Sequence, residues 1–172
     1  MVRLGLISDT HGLLRPAARE FLSGCERIVH AGDICDAVVL RELEALAPVT
    51  AVRGNNDRGA WADRLRDSER VRLGDVLVLV IHDLAQLPIE PAAAGVRVVV
   101  SGHSHRPRIE ERGGVLYINP GSAGPRRFKL PITAGVLLVE GASVSARIVD
   151  LDRAGENVAT WPPHPDPLNP TH

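Results

Sequence analysis

The chain has 172 residues, 44% of them hydrophobic and 24% charged, which is the size and composition of one globular domain that needs no disulfide staples. Its 20 basic residues nearly balance 21 acidic ones, and a formal charge of −1 argues against sequence-independent binding to duplex DNA or an anionic membrane. Aromatic residues make up only 3%, and the longest aliphatic run, Val76–Ile81, is far shorter than the ~18 residues of a membrane helix.

In chain order, an apolar run at Val2–Ile7 reads as a strand, and Ser8 and Asp9 end it too early for a secretory signal. A helix opens near Leu13, with Pro16 suited to its first turn. Arg27–His30 is a second strand. Asp36 then reads as an N-cap before Val39, Leu43 and Leu46, which recur at helical spacing, and Val49–Arg53 is a third strand. This rhythm predicts parallel strands with crossover helices.

From Ser68 onward short strands follow one another: Glu69–Leu73, Val76–Ile81, Val96–Val100, Pro107–Glu111, Val115–Ile118, Thr133–Val139 and Ser143–Leu151. Gly74-Asp75, Gly113-Gly114 and Gly141-Ala142 supply hairpin turns, and only Leu84–Ala94 reads as helical. The expected fold class is α/β, with mixed parallel and antiparallel strands in two packed sheets. Residues 1–160 form one domain, and residues 161–172, with five prolines from Trp161 to His172, form a tail. Cys25 and Cys35 make neither a metal-type pair nor a disulfide framework, so a cytoplasmic protein with reduced thiols is expected.

The second half, from Ser68, reads as mostly antiparallel, and five of the apolar strand candidates across the chain end in short polar clusters. These are Ser8-Asp9-Thr10-His11-Gly12, His30-Ala31-Gly32-Asp33, Gly54-Asn55-Asn56-Asp57, His82-Asp83 and Ser101-Gly102-His103-Ser104-His105. Strand carboxyl ends line the ligand crevice of open α/β sheets, so five such clusters are expected to converge. His103 and His105, two apart in an extended segment, would point the same way about 6.5 Å apart and could serve two neighbouring metals. Asp9 and His11 share that spacing.

The order Asp-x-His, Gly-Asp, Gly-Asn, His and Gly-His-x-His resembles the calcineurin-like metallophosphoesterases. Within them it is similar to the small single-domain YfcE-like phosphodiesterase branch, to which the eukaryotic retromer subunit Vps29 is related. The resemblance runs from Val2 to about Leu151 and includes the turn Asn119-Pro120-Gly121-Ser122. It implies a two-sheet αββα sandwich. It also implies that Asp9, His11, Asp33 and His105 hold one metal, and that Asp33, Asn55, His82 and His103 hold a second, with Asp33 shared. Mixed imidazole, carboxylate and amide donors suit Mn²⁺, Ni²⁺, Fe, Co²⁺ or Zn²⁺ better than Ca²⁺, and the resemblance points to Mn²⁺.

The activity expected is hydrolysis of a small phosphate ester, phosphodiesters first, by a hydroxide bridging two divalent ions. Asp33, Asn55 and His103 carry the catalysis. A non-catalytic interaction scaffold like Vps29 and a phosphomonoesterase of the same fold are the rivals. No membrane or strong nucleic-acid partner is expected, and self-association is left open. Two departures stand out. Asn56 replaces the His that the larger enzymes use to protonate the leaving group, and Asp83 follows His82 where the family more often has Gly. Asp83 either orients His82 or caps the next helix. His30 reads as structural and Cys35 as a small buried side chain. Arg126, Arg127 and Lys129 form either a solvated loop or a phosphate-binding one.

Overall fold

The computed structural model describes residues 1–162, so the tail expected over 161–172, with His164 and His172, lies almost wholly outside the described residues. The first half forms β1 (Val2–Ile7), α1 (Pro16–Leu22), β2 (Arg27–His30), α2 (Ala37–Glu44) and β3 (Val49–Ala51). Strands β1, β2 and β3 pair in parallel, as the alternating pattern predicts. Pro16 opens α1, where a missing N–H leaves no bond unmade. The Asp36 carboxylate caps α2 by accepting from the Val38 amide at 2.8 Å.

The chain then builds a second sheet from β4 (Ser68–Leu73), β5 (Val76–Ile81), β6 (Val98–Val100), β7 (Arg108–Arg112) and β8 (Val115–Asn119). Its order is β4-β5-β6-β8-β7, with β5, β6 and β8 parallel. Strands β9 (Thr133–Glu140), β10 (Ser143–Asp150) and β11 (Glu156–Trp161) return antiparallel to the first sheet, giving the order β11-β10-β9-β1-β2-β3.

The sandwich follows from period-two burial. Every residue of β5 is buried, and alternate side chains go to opposite faces. Val76, Val78 and Val80 join Leu4, Leu6, Val98 and Leu137 in the core between the sheets. Leu77, Leu79 and Ile81 pack on the outer face with Val96 and Val99. On the other flank α1 and α2 bury Leu22, Val39 and Leu43 against Ile28 and Val136. No helix among the described residues is long and apolar enough to cross a membrane.

Two elements depart from the sequence reading. The helix expected over Leu84–Ala94 is a single 3-10 turn at Leu84–Gln86 followed by turns. Pro88 and Pro91 remove two backbone donors and bias Leu87 and Glu90 away from helical geometry. The outer layer over the second sheet is therefore irregular rather than helical. Strand β11 has no counterpart in the sequence reading, and Trp161, assigned there to the tail, is its last residue.

Candidate metal centre

Parallel pairing puts the carboxyl ends of β1, β2 and β3 on one edge of the first sheet, and those of β5, β6 and β8 on one edge of the second. The polar clusters meet across that edge. The Asp9 carboxylate accepts from the Ser8 hydroxyl at 2.6 Å and, from the far sheet, the His103 amide at 3.1 Å. The 119–122 turn closes over them. Ser122 Oγ donates to the Asp9 carbonyl at 2.8 Å, and Asn119 Nδ2 donates to the Gly102 carbonyl at 2.8 Å.

All seven residues singled out in the sequence come together, in two groups. In one, His11 Nε2 lies 3.3 Å from His105 Nε2, 3.7 Å from Asp33 Oδ2 and 4.0 Å from Asp9 Oδ1. His105 Nε2 is 3.2 Å from Asp9 Oδ1. In the other, His82 Nε2 lies 3.0 Å from Asn55 Oδ1, 3.3 Å from His103 Nδ1 and 3.5 Å from Asp33 Oδ1. His103 Nδ1 is 3.1 Å from the same Asn55 oxygen. The two oxygens of Asp33 thus face one group each.

Donor chemistry favours a cation in both groups. Two imidazole nitrogens at 3.3 Å can share at most one hydrogen bond, and two carboxylates among them accept without donating. Asp9 Oδ1 is buried with no hydrogen-bond partner among the described residues. Such an atom would carry a desolvation penalty that a bound cation removes. The donor atoms of Asp9, His11 and His105 lie within 4.8 Å of one another, as do those of Asp9, Asp33 and His82. His82 Nδ1 sits 2.7 Å from the Ala31 carbonyl, which fixes its proton there and leaves the Nε2 lone pair facing the group. The residues present fit divalent metal.

Backbone conformation does the aiming, in a way the spacing did not anticipate. Asp9, His11, Asp33, His103 and His105 all have positive φ, between 46° and 70°. His103 and His105 are therefore not in an extended segment pointing alike. Left-handed turns send one imidazole to each group. Non-glycine residues occupy that region at a cost, and a run of five at one edge marks a functional site. Two glycines make room. A Cβ on Gly54 would lie 2.1 Å from Asp33 N, and one on Gly102 would lie 2.0 Å from Ser8 Oγ.

Local charges respond. Burial alone would raise the Asp9 carboxyl, but His105, the Ser8 hydrogen bond and His82 outweigh it and hold its pKa below the usual carboxylate value. Burial lowers the pKa of His11, with the Asp33 charge partly opposing and the Arg127 charge adding to the fall. His30 is fully buried, accepts from the Gly32 amide at 3.2 Å on Nδ1, and meets Thr10 Oγ1 at 3.0 Å on Nε2. Burial drops its pKa to about 3, so it is a neutral structural histidine, as read.

The other singled-out residues sort by their contacts. Asp83 accepts from the Ala85 amide at 3.0 Å and caps the 3-10 turn. Cys35 Sγ lies 3.5 Å from His11 Nδ1, and burial, then Asp57, Asp33 and Asp9, push the thiol up to about 11. Arg126 is committed to Asp152 and to the Leu130 carbonyl. Asn56 does not stand clear of the cluster: its Nδ2 donates to Asp33 Oδ2 at 2.8 Å and its amide to Asp33 Oδ1 at 2.9 Å.

One supporting residue escaped notice. Asp57 is buried and accepts from the amides of Cys35 and Gly54 at 2.8 and 2.7 Å, tying the 33–35 turn to the 54–57 turn. Only its place at the end of a polar cluster could have suggested it.

Known proteins resemble this chain over most of its length. The family profile described as "Calcineurin-like phosphoesterase superfamily domain" matches residues 2–142. A protein of Methanothermobacter thermautotrophicus named "Probable metallophosphoesterase" is 35% identical over 162 residues, covering 85% of this chain and 91% of that protein. Phosphodiesterase YfcE of Escherichia coli is 29% identical over 85% of this chain and 92% of its own. The YfcE structure superposes with a TM-score of 0.73 at 25% identity, over 92% of this chain and 98% of that one. Vacuolar protein sorting 29 of Cryptosporidium parvum superposes with a TM-score of 0.77 at 22% identity, over 92% and 96% of the two chains, a likeness of fold.

Proposed function

The chain belongs to the calcineurin-like phosphoesterase superfamily, and from that premise we propose that it is a dinuclear metal-dependent phosphodiesterase. The observation that carries the reading is the division of seven donors into two groups, with one oxygen of Asp33 facing each. Asp9, His11, Asp33 and His105 would hold one ion, and Asp33, Asn55, His82 and His103 the other, with Mn²⁺ the metal we favour. When bound, two such ions would supply Lewis acidity toward the phosphoryl oxygens and lower the pKa of water enough to provide a nucleophile near neutral pH.

The chain's own residues set the rest. Asp33 spans both groups, and Asn56 clamps its two oxygens from the exposed side. Asn55 and His103 are exposed at the mouth, where they can meet an ester and offset charge developing on it. An amide at position 56 cannot protonate a leaving group, so esters whose leaving group departs unprotonated are favoured. A scaffold has no need of a buried carboxylate oxygen left without a partner, as Asp9 Oδ1 is, which disfavours a purely structural role. Both cysteines are free, which fits a reducing compartment, and a cytoplasmic setting completes the proposal.

The test is a screen of diesters, monoesters and cyclic nucleotides with metal-free protein, re-metallated with one type of ion at a time. Hydrolysis of diesters above monoesters, restored best by Mn²⁺, is expected. Turnover that ignores added metal would refute it.

A further inference from the structure

Two cavities open from the second donor group, and they share a ridge. The wider, about 840 Å³, is lined by Asn55, His82 and His103 together with Arg58, Asp67 and Gln86. The narrower, about 330 Å³, lies on the other side of His103 and runs over Leu84, Ile118 and Tyr117, with Arg106 and Arg112 at its margin. Asp83 and His103 border both. Both volumes fall in the usual range for small-molecule sites.

The two differ in chemistry. The wide cavity carries the charged side chains of Arg58 and Asp67 on its lining, which suit a polar group. The narrow cavity sets Leu84 and Tyr117 among polar residues that include Ser104 and Glu110. The Arg112 guanidinium lies 4.2 Å from the centre of the Tyr117 ring, forming a stacked platform at the outer face of β8. Arg106 stands exposed at its margin. A ring slid against that platform meets π-surface, and a cation stands near its ester oxygens.

Resting on the phosphodiesterase reading, we propose that the narrow cavity is a subsite for a flat arm of the substrate, so that the substrate class is a phosphodiester with one aryl or nucleoside arm there and a polar arm in the wide cavity. The phosphorus lies at the ridge, beside His103. A diester has two ester arms and uses both cavities, whereas a monoester fills one. Tyr117 is on this account a specificity-determining residue that touches the substrate arm and not the phosphorus.

The experiment uses the Mn²⁺-loaded chain, with calorimetric binding of diphenyl phosphate and dimethyl phosphate and steady-state hydrolysis of bis(4-nitrophenyl) phosphate. Tyr117→Ala should raise the Kd for diphenyl phosphate and the KM for the nitrophenyl diester about tenfold, the scale of losing one aromatic stacking surface. The kcat should stay within about twofold and dimethyl phosphate binding should not move, because the donor groups are untouched. Tyr117→Phe should restore wild-type values. Leu84→Ser, on another wall of the same cavity, should act in the same direction and carries the test should Tyr117→Ala fail to fold. Unchanged aryl-diester constants, or an equal loss for dimethyl phosphate, would overturn the subsite. Failure of every metal-loaded form to bind or cleave any phosphate ester would instead overturn the phosphodiesterase reading beneath it.

Discussion

His30 makes the stability of the metal-free protein depend on pH in a way that can be worked out in advance. It is fully buried, its two ring nitrogens are engaged by Gly32 and Thr10, and its folded-state pKa is about 3 against 6.5 for a free histidine. The unfolded chain therefore binds a proton that the folded chain refuses. The contribution is intact above pH 6.5, falls as pH drops below it, and is fully lost near pH 3. At pH 4.5, two units below the free value, the loss amounts to about 3 kcal/mol, since each unit of difference is worth about 1.4 kcal/mol. The assay is urea denaturation of the metal-free chain and of His30→Gln at pH 7.5, 6.0, 5.0 and 4.5, because the comparison cancels every other titrating group. His30→Gln is expected to be less stable at pH 7.5, where it disturbs the bonds to Gly32 and Thr10, and to close most of that gap by pH 4.5. Parallel stability curves across that range would mean that the buried imidazole takes up its proton without penalty, and the reasoning would fail.

Three further outcomes follow from the contacts around the donor groups. Asn56→Ala removes the amide that holds Asp33 Oδ2 and should weaken metal binding about 10–100-fold, with kcat at saturating metal nearly retained; metal titration reads the first and kinetics the second, and unchanged affinity would deny Asn56 its clamp. Gly102→Ala drives a Cβ to within 2.6 Å of Asp9 Oδ2, so it should cost about 1–3 kcal/mol on denaturation and lower metal content; a variant as stable and as fully metallated as the parent would count against this packing. Cys35, with its thiol pushed up to about 11, should react with iodoacetamide at pH 8 on the order of 100-fold more slowly than an ordinary cysteine in the metal-free chain; peptide mass spectrometry gives the rate, and alkylation at the pace of a free thiol would contradict it.

What could be read from the sequence divides along physical lines. Strands β1, β2, β5 and β8 are apolar runs bounded by turn chemistry, and Asp36 followed by Val39 and Leu43 marks a capped helix. These signals are local, and the fold uses them as written. Strand β11 was missed because its first three residues are exposed and its burial is weak, as befits an edge strand supported mainly by β10. The helix expected after Asp83 failed on Pro88 and Pro91, which the apolar pattern of Leu84, Leu87 and Ile89 concealed.

At the donor groups the residue types were legible and their aiming was not. Spacing suggested extended i, i+2 pairs, whereas positive φ at all four residues keeps Asp9 and His11 in one group and sends His103 and His105 to different ones. Those conformations are imposed from outside the segment, by hydrogen bonds such as Asp9 N to the Gly32 carbonyl and His11 N to the Asp33 carbonyl. No local pattern encodes them. The role of Asn56 was hidden for the same reason: its partner, Asp33, lies 23 residues away.

The shared carboxylate is the centre of the account, and Asp33→Asn tests it most directly. The substitution keeps the shape of the side chain but replaces one charged oxygen with an amide donor, so a residue facing both groups can no longer serve both. The measurement is metal content per chain after re-metallation with Mn²⁺, made on folded protein alongside turnover of bis(4-nitrophenyl) phosphate. The account predicts about two ions in the parent, a loss at both positions in the variant, and a fall in turnover of roughly 10³-fold or more, on the scale of losing a group that organises transition-state electrostatics. A folded variant that still holds two ions and turns over the diester at the parent rate would contradict it.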